Sequence, residues 1–181
     1  TVFVTSSFVG TSTFMNWDDL LFLQKQDWEI ASHTVNHLNL TELEEAELKK
    51  ELLQSKVTLE TEGIRVSSFA SPYGAYNDLV LEFIARYYDS HRTSVLDLNE
   101  IPLEDPYLLY ALVIKPETTV KEVKDWILRT KEERKWLILV FPQIEEEDGW
   151  TKEQLERIAE FTKQEIFEPL NINIATRRVR P

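Results

Sequence analysis

Trp28-Glu29-Ile30-Ala31-Ser32-His33-Thr34-Val35-Asn36-His37 is the stretch on which the reading of the fold turns. Trp28, Ile30 and Ser32 fall on one side of an extended segment and Glu29 and Ala31 on the other, the alternation of a β-strand. The strand runs into two histidines spaced i and i+4. In a helical turn, side chains four apart share a face, so His33 and His37 aim one ring nitrogen each at a common point. Neutral imidazole is a common ligand for zinc and related divalent ions, and two such nitrogens fill half of a tetrahedral shell. The alternative for an isolated His-x-x-x-His is one packed ring and one solvated ring. Two features favour the metal: the chain holds only three histidines, and the pair falls where a strand ends.

The 181 residues are read as one domain, 1–181, long enough to bury a sizeable core. Hydrophobic residues at 43% and aromatic residues at 11% fit a globular chain. Twenty basic against thirty-two acidic residues give a net charge of −12. Such a surface repels nucleic acid and anionic membranes but accepts a neutral or cationic glycan. Cysteine is absent, which removes disulfides, thiolate metal sites and cysteine nucleophiles. No apolar run reaches membrane-spanning length.

Thr1-Val2-Phe3-Val4-Thr5 is β-branched and aromatic and reads as a strand with no lead-in, so the chain is expected to be a fragment. Asn16 caps a short helix carrying Leu20, Leu21 and Leu23. Thr41 to Glu44 is read as a capping box opening a helix to about Glu62, ended by Gly63. Leu43, Ala46, Leu52, Leu53 and Val57 form its expected buried face, and Glu44, Glu45, Glu47, Lys49, Lys50 and Glu51 its solvated one. A strand follows at Val66 to Ser71, stopped by Pro72-Tyr73-Gly74, and Asn77 or Asp78 opens a helix to Tyr87. Arg92 to Val95 is read as a short strand and Leu108 to Ile114 as a longer one. Thr119 to Glu122 opens a helix to about Arg129. Trp136 to Phe141 has the continuous apolar character of a strand buried on both faces. After the acidic loop Glu145 to Asp148, Thr151 to Gln154 opens a further helix through Ile166. Asn171 to Thr176 is read as a last strand, and Arg177 to Pro181 as a frayed basic tail. This alternation predicts an α/β fold with a parallel sheet and outer helices, which an open sheet and a barrel both satisfy.

Ser32-His33-Thr34-x-x-His37, flanked by Trp28-Glu29-Ile30 and Asn39-Leu40-Thr41, resembles the metal-binding motif of the polysaccharide deacetylases, the carbohydrate esterases with a NodB-type domain. The resemblance implies a distorted β/α barrel, here incomplete and lacking its first strand, with the site at the carboxyl ends of the strands. It also implies hydrolysis of N-acetyl or O-acetyl groups on a glycan by a divalent metal, zinc, cobalt or nickel, with His33 and His37 as metal ligands. In the family an aspartate base deprotonates a metal-bound water and a histidine acid protonates the leaving amine.

The remaining motifs are uneven. The family's Thr-Phe-Asp-Asp-Gly, source of the base and third ligand, has no counterpart and is expected before Thr1; Asp18 and Asp19 read better as helix-capping acids. Phe69-Ala70-Ser71-Pro72-Tyr73-Gly74 resembles the motif in which a proline and tyrosine wall the groove and the tyrosine backbone N–H stabilises the oxyanion. Pro72 and Tyr73 keep that role, while Ala70 stands where the family has arginine. Asp97 lacks the pattern of the acidic fourth motif. Leu139-Val140-Phe141-Pro142-Gln143 resembles the last motif with Pro142 at the histidine position, which removes the acid. His91 reads as structural. The resemblance therefore implies an impaired or inactive deacetylase located outside the cell or at its surface. One alternative is a glycan-binding module using Tyr73 with Trp28 or Trp150 for sugar stacking. Another is a sheet fragment that pairs with a second copy.

Overall fold

The computed structural model describes residues 1–142, 144 and 149–180, so the acidic loop read at 145–148, Gln143 and Pro181 lie outside the described residues. Two compact units are present. One comprises Thr1–Thr93, Asp105–Leu109 and Asn171–Arg178; the other comprises Ser94–Glu104, Tyr110–Leu170 and the described residues from Val179 on.

The first unit is built on four short parallel strands, β1 (Val2–Val4), β2 (Ile30–Ser32), β3 (Ser68–Ala70) and β4 (Ser90–Arg92), paired in the order β1-β2-β3-β4. Helices α1 (Trp17–Lys25), α2 (Glu45–Thr61) and α3 (Asp78–Tyr87) connect them. Each strand adds beside its predecessor with no reversal, the order of a β/α barrel wall; a doubly wound sheet reverses at a switch point. Leu20, Ile30, Leu48, Leu52, Leu59, Phe69, Val80 and Ile84 form the core between sheet and helices.

The strands bury serines as well as apolar residues, and hydrogen bonds make that tolerable. Ser32 bonds Ser55 at 2.8 Å and receives the Tyr88 hydroxyl at 2.9 Å. Ser90 donates to Ser68 at 3.0 Å, and Ser68 donates to Glu29 at 2.5 Å. Glu29 is 7% exposed and also accepts from the Thr1 hydroxyl and from the Asn173 backbone N–H.

That last bond bears on a correction. Residues Ile172–Val179 form a helix, α6, where the sequence predicts a strand over Asn171 to Thr176. Asn171 caps it by accepting the Ile174 N–H at 2.9 Å, and the Glu29 carboxylate sits on its first turn, where the helix dipole favours negative charge. The buried residues Ile172, Ala175 and Thr176 follow helical spacing, and the basic run begins inside this helix.

Helix α2 departs from its reading in two ways. Thr41 lies in a 3-10 turn, Leu40–Glu42, capped by Asn39, and the N-cap of α2 is Glu44 with no side-chain cap bond. Its buried face is Leu48, Glu51, Leu52, Ser55 and Leu59, while Val57 is 42% exposed. Strand β4 starts two residues before its predicted place because its partners are Ser68, Phe69 and Ala70.

The second unit holds the parallel pair β5 (Leu112–Val113) and β6 (Leu139–Val140) with helices α4 (Val120–Glu133) and α5 (Lys152–Gln164). Both helices start at their predicted capping boxes, Thr119 with Glu122 and Thr151 with Gln154. Val123, Ile127, Trp150 and Ile158 centre its core. Strand β6 is two residues long and half-buried, so the apolar run Trp136 to Phe141 is not a strand covered on both faces. Among the described residues no helix is long and apolar enough to cross a membrane.

The face assignment of α2 and the centrality of β3 give one expectation. Phe69→Ala, at a site 0% exposed, should cost about 3–5 kcal/mol in denaturant unfolding. Val57→Ala should stay within about 0.5 kcal/mol; a large loss there would contradict the observed helix face.

Candidate active site

The chain leaves β2 at Ser32 and turns sharply, and this turn is not helical. Thr34 has φ 71° and His37 φ 59°, left-handed values that are costly for side chains with a Cβ and rare for a β-branched residue. The loop is fastened on every side. His33 N–H donates to Val4 O at 2.9 Å, Ser6 and Ser7 N–H donate to Thr34 O and Val35 O at 3.1 Å each, and the Thr34 hydroxyl accepts the His37 N–H at 2.9 Å.

Glu51 of α2 supplies the remaining anchor. Its carboxylate accepts the backbone N–H groups of Val35 at 3.0 Å and Asn36 at 2.9 Å, and the Asn36 side-chain amide at 2.6 Å. Only 2% of Glu51 is exposed. A sequence assignment to the solvated face of α2 is therefore wrong: a carboxylate is stable there because backbone donors replace its hydration. The available signal was a charge lying between Leu48 and Leu52 on an otherwise apolar stripe.

The loop brings the sequence-predicted residues together. The His33 and His37 ring centroids are 4.9 Å apart, and His37 stands 4.9 Å from the Tyr73 ring, both contacts edge-on. His33 Nδ1 lies 2.7 Å from Ala70 O. A carbonyl only accepts, so Nδ1 carries the proton and Nε2 keeps its lone pair. Burial, reinforced by the charges of Arg92 and His37, pushes the His33 pKa down to about 4 against the pull of that hydrogen bond, so the ring is neutral at pH 7. A neutral imidazole whose other nitrogen is fixed by a carbonyl is the arrangement of a metal-binding histidine.

Tyr73 follows buried Pro72 in a 3-10 turn and has φ 59°. Bonds from Gly74 N–H to Ser71 O and from Ala75 N–H to Pro72 O, each 3.1 Å, hold the turn. The Tyr73 ring is 72% exposed beside His37. Two imidazoles fit two positions of a four-coordinate ion, and among the described residues no group of three or more His, Asp or Glu side chains is placed to hold one.

The other candidates have partners or surroundings of their own. Asp19 closes the capping box with Asn16, and Asp18 lies exposed in the same first turn, as the capping reading expects. Asp97 accepts the Leu98 N–H at 2.8 Å. Pro142 follows β6, is exposed and offers no proton. Trp150 is 2% exposed with its indole N–H on Thr118 O, so it is packed and unavailable to a sugar. Trp28 is exposed but precedes β2, at the opposite end of the strand from His33. His91 is 0% exposed; Nδ1 donates to Tyr107 O and Nε2 receives the Ser71 hydroxyl. Burial pushes its pKa down to about 4, and its role is to fasten β4 to the segment before Pro72. Arg92, which sequence reasoning left in a strand, ends β4 directly beside Ala70.

Residues 1–88 match the polysaccharide deacetylase family model. No curated protein matches the chain. Among solved structures it is similar to a polysaccharide deacetylase from Bacillus cereus, with TM-score 0.60 and 22% identity over 69% of this chain and 40% of that one. It is similar to the Xyl-CE4 domain of a multidomain xylanase from the hindgut metagenome of Trinervitermes trinervoides, with TM-score 0.65 and 15% identity over 97% and 75% of the two chains. A CE4 family pseudoenzyme from Bacillus anthracis gives TM-score 0.66 and 16% identity over 99% and 56%. These likenesses establish the fold, and the chain spans less than two thirds of the Bacillus proteins.

Glu51→Ala should expose two buried backbone donors to an unsatisfied state, at about 1–3 kcal/mol each, and speed amide exchange at Val35 and Asn36. Glu47→Ala, on the exposed side of the same helix, should leave both unchanged. Unaltered exchange in Glu51→Ala would contradict the anchoring role.

Proposed function

We propose, from the match of residues 1–88 to the polysaccharide deacetylase family model, that the His33–His37 loop binds a divalent metal, zinc first among them, beside a groove for an acetylated glycan. The convergence of His33, His37 and Tyr73 at the carboxyl ends of β2 and β3 carries this reading. A bound metal there supplies Lewis acidity toward an acetyl carbonyl and acidifies water.

The chain's own groups then have distinct roles. His33 offers Nε2 because Ala70 O holds its Nδ1 proton. His37 is set by the Thr34 hydroxyl and, through the loop, by Glu51. The exposed Tyr73 ring gives a sugar face an apolar platform, and its backbone N–H is the proposed oxyanion donor. Among the described residues no third His, Asp or Glu completes a metal-holding group with the two histidines, and Pro142 occupies the acid position of the resemblance. Base and acid are each worth about 10²–10⁴-fold, so turnover by these residues alone should be very weak. The strand order supports an incomplete β/α barrel, and the family background supports a site outside the cell or at its surface.

A second reading, a glycan-binding domain without chemistry, is favoured by the two-ligand donor set and is compatible with a fold shared with a CE4 family pseudoenzyme. Calorimetry with zinc, cobalt and nickel, on this chain and on His33→Ala, tests the metal. Binding that falls at least about tenfold in the variant, with little or no acetate release from acetylated chito-oligosaccharides, is expected. A chain that binds no metal but retains the oligosaccharide supports the second reading.

A further inference from the structure

The turn that carries Tyr73 begins at a serine that does not cap it. Ser71 is the N-cap of the 3-10 turn Pro72–Gly74 and makes no side-chain cap bond. At such a position a serine hydroxyl ordinarily accepts the backbone N–H two or three residues on. Three on, the Gly74 N–H is already held by the Ser71 carbonyl at 3.1 Å. Two on stands the Tyr73 N–H, which makes no hydrogen bond to a partner among the described residues.

The hydroxyl is engaged elsewhere. Ser71 Oγ lies 2.8 Å from His91 Nε2, and His91 Nδ1 lies 2.9 Å from Tyr107 O. Burial pushes the His91 pKa down to about 4, so the ring is neutral at pH 7. A carbonyl only accepts, so the one ring proton sits on Nδ1 and Nε2 is left as an acceptor. Ser71 therefore donates to His91. Ser71 is 1% and His91 0% exposed, which shields this bond from competing water. The imidazole is itself fixed: His91 N–H donates to Pro106 O at 2.9 Å, Leu109 N–H donates to His91 O at 3.1 Å, and the ring packs against Phe69 and Tyr76 with centroids 5.9 and 5.7 Å away.

We propose that His91 is a positioning residue for this site: by taking the Ser71 hydroxyl, it keeps the Tyr73 backbone N–H free for a ligand oxygen. The oxyanion role of that N–H rests on the reading above; the competition of His91 and Tyr73 for Ser71 does not need it. A mere brace and this diversion differ in sign. Loss of a brace loosens the turn and speeds solvent exchange at the Tyr73 amide. Loss of the diversion returns the hydroxyl to its cap position and slows that exchange.

Water-to-amide exchange at Tyr73, followed by NMR at pH 7 in EDTA, reads the sign directly. In the parent chain this amide should exchange as an unprotected one. His91→Phe, which keeps a ring and removes the acceptor, should slow it by about two- to tenfold, the effect of one ordinary hydrogen bond. Combining His91→Phe with Ser71→Ala leaves no hydroxyl to cap the turn and should restore the parent rate. His91→Gln, whose amide oxygen accepts from Ser71, should also match the parent. Nitrogen shifts of the His91 ring in the parent chain, which depend on no variant folding, should show a neutral imidazole protonated at Nδ1. The proposal is overturned by a protected Tyr73 amide or an Nε2-protonated His91 in the parent, by unchanged or faster exchange in His91→Phe, or by slowing that persists in the double variant or appears in His91→Gln. Metal and glycan are absent from this measurement, so a failure of metal binding in calorimetry leaves its result untouched, and the converse also holds.

Discussion

A carboxylate buried under the loop after β2 holds the candidate site in shape. Glu51 accepts two backbone N–H groups and one side-chain amide from Val35 and Asn36, and through them fixes a turn that its own residues resist. Thr34 and His37 occupy left-handed backbone conformations costing on the order of 1–3 kcal/mol each. Such strain persists only where surrounding bonds over-determine the geometry. Here Val4, Ser6, Ser7 and the Thr34 hydroxyl join Glu51 in doing so. The result is two imidazole rings 4.9 Å apart at the end of a strand.

The charge pattern around this turn is as informative as its geometry. The negative group, Glu51, accepts backbone donors, and the positive group, Arg92, makes one long bond to Thr93 O and leaves Nε without an acceptor among the described residues. Between them His33 is neutral and fixed as one tautomer. His33, His37 and Tyr73 converge there, and among the described residues no third His, Asp or Glu joins the two histidines as a metal-binding group.

Local signals were legible in the sequence. Asn16, Asn77, Thr119 and Thr151 cap helices as read, because a cap needs only a side chain and an N–H three residues on. The histidine pair was found by spacing, although its convergence comes from positive-φ turns and not from a helical turn. Tertiary partners were not legible. Ile172 and Ile174 alternate like a strand, and Thr1 and Glu29, distant in sequence, join Asn171 in accepting the N–H groups of the first turn that make the segment a helix. Glu51 looked solvated because its acceptor role depends on a loop fifteen and sixteen residues away. Arg92 looked like an ordinary strand residue until register set it opposite Ala70.

The central claim is that the loop presents His33 with its proton on Nδ1 and its Nε2 free, beside His37. Long-range proton–nitrogen correlation spectra of the imidazoles at pH 7, before and after zinc, measure this directly. The account requires a neutral His33 protonated at Nδ1, with its Nε2 resonance and one His37 ring nitrogen shifting together on zinc addition. A His33 protonated at Nε2 or at both nitrogens, or zinc that moves neither ring, would contradict it.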